Sequence, residues 1–110
     1  MWTLVSVGPS TSRTKKLMAV FRDGPRRKTV HFGARGYNDF TTYWKIDPNI
    51  AKQHRASYIR RHATRENWAD PTTPGALSRF ILWEKKTIPL AIRAFRSRFQ
   101  GVHIFTRKSL

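Results

Sequence analysis

Twenty-two Lys and Arg stand against six Asp and Glu in 110 residues, a formal net charge of +16. The length fits one small domain, residues 1–110, in which seven Phe, four Trp and three Tyr supply much of the core, because each aromatic buries more area than an aliphatic residue. The absence of cysteine excludes disulfides, cysteine nucleophiles and thiolate metal sites, and no apolar run approaches the ~20 residues that span a bilayer.

Residues 2–7 alternate weakly and are rich in β formers. They lack the basic start and long apolar stretch of a secretion signal, so synthesis in the cytosol is expected. Residues 8–12 read as a Gly/Pro/Ser/Thr loop. Residues 17–21 and 28–32 form two strands of a hairpin around the turn Asp23-Gly24-Pro25, with Gly24 free to take positive φ, and residues 2–7 add an edge. Residues 33–36, Gly-Ala-Arg-Gly, break the third strand. Residues 37–44 are aromatic and polar without a period and read as irregular.

Asp47-Pro48 is a helix start: the carboxylate caps free N–H groups and proline fits the first turn. The helix runs from Asn49 to His62, with Ile50, His54, Tyr58 and His62 on one stripe. Asp70-Pro-Thr-Thr-Pro74 is a rigid connector. Thr73-Pro74 repeats the cap logic for a short helix through Trp83. Thr87 starts the last helix, where Ile88, Ile92, Phe95 and Phe99 form an apolar stripe opposite Arg93 and Arg96. Gly101 is a plausible stop, and residues 102–105 fit a short closing strand. The expected fold is α+β, a small N-terminal antiparallel sheet packed with three short helices.

Candidate chemistry is sparse. His54 and His62 lie two helical turns apart, roughly 12 Å at 1.5 Å per residue, too far to share one ion. No Cys/His or H-E-x-x-H pattern exists, so neither metal nor cofactor is expected. Asp23, Asp47 and Asp70 are explained by turns and caps. Asp39, Glu66 and Glu84 remain free for chemistry, and a paired-carboxylate site from Asp39 and Glu66 is conceivable, but structural ion pairs with arginine fit better among so many cations. The chain is read as non-enzymatic. Gly33-Ala-Arg-Gly36 matches the backbone-clamping G-x-x-G loop of KH domains, yet follows a strand where that loop joins helices. Tyr37, Phe40, Tyr43 and Trp44 among basic residues suggest a stacking platform for single strands, although a chain short of aliphatics needs its aromatics inside. The cations expected to meet an acidic or polyanionic partner are Arg26, Arg27, Lys28, Arg35, Arg60, Arg61, Arg93 and Arg96. Trp2 and Phe105 are candidate apolar contacts with protein neighbours.

Two dense blocks are more distinctive than any generic pattern. One is residues 31–41, HFGARGYNDFT. The other is residues 61–83, RHATRENWADPTTPGALSRFILW. Through these blocks, residues 17–100 resemble a family of small basic proteins of unassigned function encoded by large nucleocytoplasmic DNA viruses. Pro74 departs from the small residue expected there. The resemblance supplies no catalytic residues. It implies a viral origin and a place in the particle. Independently of it, Asn67 and Asp70 are suited to satisfying backbone groups of nearby turns, and Trp68 and Trp83 to bracketing the short helix.

The leading expectation is a structural virion protein, a minor capsid or inner-shell component in a larger assembly, made in the host cytosol and set against acidic surfaces of other virion proteins. The rival is a sequence-nonspecific DNA-binding or genome-condensing protein contacting the phosphate backbone. A third reading is a basic component of a ribonucleoprotein. A nucleic-acid binder is expected to gather its cations on one face.

Overall fold

The computed structural model describes the backbone of residues 1–108 and the side chains of residues 1–99. It is α+β: a three-stranded antiparallel sheet in the order β1-β2-β3, followed by four helices. The strands are β1 (Thr3–Pro9), β2 (Lys15–Asp23) and β3 (Arg26–Ala34). β2 and β3 join at the expected turn, where Gly24 takes a φ of +61°, and β1 is the outer neighbour of β2. Pairing extends further than the sequence suggested. Pro9 lies opposite Leu17, and Lys15 opposite Ala34, so β3 runs into the Gly33-Ala-Arg-Gly36 segment instead of ending before it.

Alternation sorts the sheet. Leu4, Ala19, Phe21, Val30 and Phe32 are buried, while Thr3, Ser6, Arg22, Arg27 and Thr29 are exposed on the other face. Ala76, Leu77, Phe80, Ile81, Leu82, Ala91 and Phe95 cover the buried face. They come from α3 (Pro74–Leu77), the π-helical turn that continues it (Ser78–Leu82), and α4 (Ile88–Lys108). Thr73 caps α3 by accepting from the Ala76 N–H, and Thr87 accepts from Leu90 at the start of α4, as the sequence indicated.

Two elements differ from expectation. The segment read as irregular holds a helix, α1 (Phe40–Ile46). Asp39 caps it, accepting from the Thr41 and Thr42 N–H groups, while Thr42 Oγ1 accepts from the Asp39 N–H. At seven residues the helix is too short to show a period. The last helix does not stop at Gly101. It continues to Lys108, so residues 102–105 are helical and form no closing strand; a glycine inside a helix costs only about 1 kcal/mol relative to alanine. The side chains of His103 and Phe105 lie outside the described residues.

α1 and α2 (Pro48–His62) pack on each other as an arm beside this core. Asp47 ends α1 and caps α2, accepting from the Asn49 N–H. Among the described residues, polar and ring contacts dock the arm on the body. Lys16 Nζ donates to Asp39 at 2.8 Å. Arg55 donates to the Glu84 carbonyl at 2.9 Å. Tyr58 stacks on Trp83 with ring centroids 4.7 Å apart, and Tyr43 approaches Trp83 at 6.3 Å. None of the helices among the described residues is long and apolar enough to cross a membrane.

Candidate anion-binding surface and seam cavity

The carboxylates show where the surplus charge goes. Asp47 and Asp70 serve as cap and turn: Asp70 accepts from the Thr72 N–H and hydroxyl, which holds its carboxyl below the usual range. Asp23 accepts from the N-terminal amine and from Arg26, and its carboxyl is lowered for the same reason. Asp39 is 4% exposed, caps α1 and pairs with Lys16. Glu84 pairs with Arg79 at 2.6 Å. Glu66 is the exception among the six acids of the chain: the nitrogen facing it is His62 Nδ1 at 3.8 Å, beyond hydrogen-bond reach. The expected pairing of the three unassigned acids with arginine therefore holds for Glu84 alone. Asp39 takes a lysine and Glu66 faces a histidine.

With the acids engaged internally, most cations face outward. The eight expected contact residues separate into two groups. Arg27, Arg61 and Arg93 are exposed and make no side-chain hydrogen bond or ion pair among the described residues, and Arg60 is exposed with one bond to Ser57. The others have internal tasks. Arg26 pairs with Asp23 and lies 4.9 Å over the Trp2 ring. Lys28 donates to Thr72. Arg35 donates to the Ser10 and Ser12 carbonyls, so the arginine of the Gly-Ala-Arg-Gly segment is folded back rather than presented at a tip. Arg96 donates to the Val5 carbonyl, where the β1–β2 register shifts between Leu4 and Ser6, and its Nε is buried without a partner. Reversing Arg96 would break the tie between α4 and β1 as well as change charge. Arg22 was missed. It is exposed directly across from Arg27, and such a like-charged pair is unfavourable unless an anion neutralises it. The sign of the signal was in the sequence, since both residues fall on the outer parity of their strands.

The aromatics of the middle segment are mostly internal. Phe40 is buried, Tyr43 stacks on His54 at 4.0 Å, and Trp44 lies against Phe40 at 5.5 Å. They form no open platform. Tyr37 differs: it is 73% exposed and has no ring partner among the described residues. Trp2 is half-buried under Arg26 and Lys28 and packs on the core, so it is not an open apolar patch.

A cavity of about 450 Å³ opens along the seam between arm and body. The two distinctive sequence blocks meet there. The first contributes Gly33, Tyr37 and Asp39, and the second Arg61, His62, Glu66, Gly75 and Trp83. Lys15 and Lys16 add positive charge from β2. Gly75 makes room for Glu66: a Cβ on Gly75 would lie 1.7 Å from the Glu66 Oε2. Tyr58, stacked between His62 and Trp83, has its phenol pushed up to about 12 by burial and by the Glu66 charge, so it stays protonated at neutral pH. Asp39 and Glu66 share this cavity, but every hydrogen bond of Asp39 goes to a cap or to Lys16, so the pair does not make a two-carboxylate catalytic centre. Among the described residues, His54 and His62 stack on tyrosines, and His31 Nδ1 lies 2.7 Å from Ser10 Oγ.

The model of a family of unknown function (DUF5754) matches residues 5–43, from β1 into α1. The match includes the first block and ends before the second. No curated protein and no solved structure matches the chain.

Proposed function

We propose that the chain is a non-enzymatic structural protein of a large DNA virus particle, a minor capsid or inner-shell component that bridges acidic neighbours. The observation that carries this reading is the separation of its free cations. Arg22 and Arg27 sit at the turn end of the sheet, whereas Lys15, opposite Ala34, and Arg13, in the loop just before β2, sit at the other end. Seven residues at roughly 3.3 Å each place Lys15 and Arg22 about 23 Å apart along β2, well beyond the ~8 Å over which exposed charges act at physiological salt. Arg60 and Arg61 extend the charge to the arm, and Arg93 to α4. A protein charged on several sides suits holding two polyanionic surfaces together better than reading one duplex from one face.

The deciding experiment compares two polyanions across a salt series. The bridging role predicts that the protein cross-links beads coated with poly-glutamate and is released from random duplex DNA with a shallow salt dependence. Tight duplex binding with a steep negative slope of log K against log salt would replace this reading with genome condensation.

A further inference from the structure

We propose that the seam cavity is a nucleotide site with a preference for guanine, a function separate from the bridging role. Three groups of different chemistry converge there. Tyr37 offers an exposed, unpartnered ring at the cavity, suited to stacking on a base. Arg61 and Lys15 bring positive charge to the same opening, suited to a phosphate. Glu66 is a carboxylate with no hydrogen-bond donor among the described residues, and its side chain is only 31% exposed. An ionised carboxylate only accepts hydrogen bonds, so it favours a ligand edge with two adjacent donors. Guanine presents these through N1–H and its 2-amino group. Adenine presents one donor beside an acceptor, so it fits less well.

The volume of about 450 Å³ is within the usual range for small-ligand sites. A phosphate alone would satisfy the cations but leave Glu66 facing an anion, which argues for a ligand carrying both an anionic and a donor-bearing part. Gly75 holds the key position, since its missing side chain lets the carboxylate lie where it does. The source of the nucleotide is either free or part of a strand, and the recognised chemistry is the same.

The full chain would be titrated with GMP, AMP and inorganic phosphate at 0.3 to 0.5 M salt (roughly), where exposed electrostatics are screened. A thymine hexamer with one central guanine would be compared with an all-thymine hexamer. The expected order is GMP, then AMP, then phosphate. Tyr37→Ala should weaken both nucleotides about tenfold, consistent with the loss of one stacking contact. Glu66→Gln should abolish the preference of GMP over AMP without weakening phosphate binding, because it removes a negative charge that faces the anion. Gly75→Ala should do the same by displacing the carboxylate, and because the clash is with the end of a flexible side chain, its thermal unfolding should match the parent's. A guanine-dependent gain for the hexamer identifies a strand as the source, and a gain confined to GMP identifies a free nucleotide. GMP binding no tighter than phosphate, or an unchanged preference in both Glu66→Gln and Gly75→Ala, overturns the proposal and leaves the bridging role untouched.

Discussion

Gly33 is the residue on which the meeting of β3 and the π-helical turn Ser78–Leu82 depends most directly. Its φ of +81° is one that side chains rarely adopt, and a Cβ there would lie 2.6 Å from Leu82 Cδ1, which belongs to a residue only 3% exposed. Gly33→Ala therefore combines backbone strain of about 1 to 2 kcal/mol with displacement of a core side chain. A loss of ~2 to 3 kcal/mol is expected in urea unfolding. Tyr58 gives a second test at this scale. Its phenol ionises near 10 in an unfolded chain but only at about 12 in the fold. Folding stability should thus be unaffected by this group below pH 10 and fall as the pH rises towards 12, because the unfolded chain releases its proton first. The fall is on the order of 2 kcal/mol. Tyr58→Phe should remove that component of the alkaline limb, measured as the difference between the two proteins' stability curves from pH 8 to 12 (roughly).

At the scale of elements, the arm of α1 and α2 is held by few contacts, and the Lys16–Asp39 pair joins its first turn to β2. Asp39 is 4% exposed, so Lys16→Met leaves a buried carboxylate with only its cap donors. Removing one partner of such a pair costs on the order of 3 kcal/mol. Amide hydrogen exchange is expected to quicken in α1 and α2 while Phe21 and Phe32, at the centre of the sheet core, keep their protection. The sequence made the sheet legible because its hairpin turn and alternating parity are local, and it made the starts of α2, α3 and α4 legible because Asp47, Thr73 and Thr87 are local caps. α1 was hidden for a related reason. Asp39 and Thr42 form a reciprocal cap, but the helix behind them is too short to show an apolar stripe, so Asp39 read as a free carboxylate. The extent of α4 was misjudged because a lone glycine weakens a helix without ending it. The cavity could not be read at all. Its walls come from β2, β3, both arm helices and the start of α3, and they meet only when Trp83 and Lys16 dock the arm.

For the whole molecule, the question is whether its charge acts as one sum or as separate contacts. If it acts as a sum, replacing any two exposed cations by Glu weakens every polyanion interaction alike. If the ends of the sheet act separately, the position of the change matters. Arg22→Glu with Arg27→Glu alters the turn end, where the two arginines face each other across the strands, and Arg13→Glu with Lys15→Glu alters the other end. Each pair lowers the net charge by the same amount, so the two proteins test position at constant charge. None of these four side chains forms a hydrogen bond or ion pair within the described residues, so both variants are expected to unfold at the parent's temperature. Under the bridging role each should still adsorb to poly-glutamate beads through its intact end, yet aggregate them less than the parent does, and an equimolar mixture of the two should not restore the parent's aggregation because no single molecule then has both ends of the sheet. On duplex DNA, loss of two phosphate contacts would reduce the salt slope by about 2 units at ~0.9 per contact. Equal reductions from both pairs, with bead aggregation retained by each, would mean that charge acts as a sum and that the molecule condenses polyanions instead of bridging them.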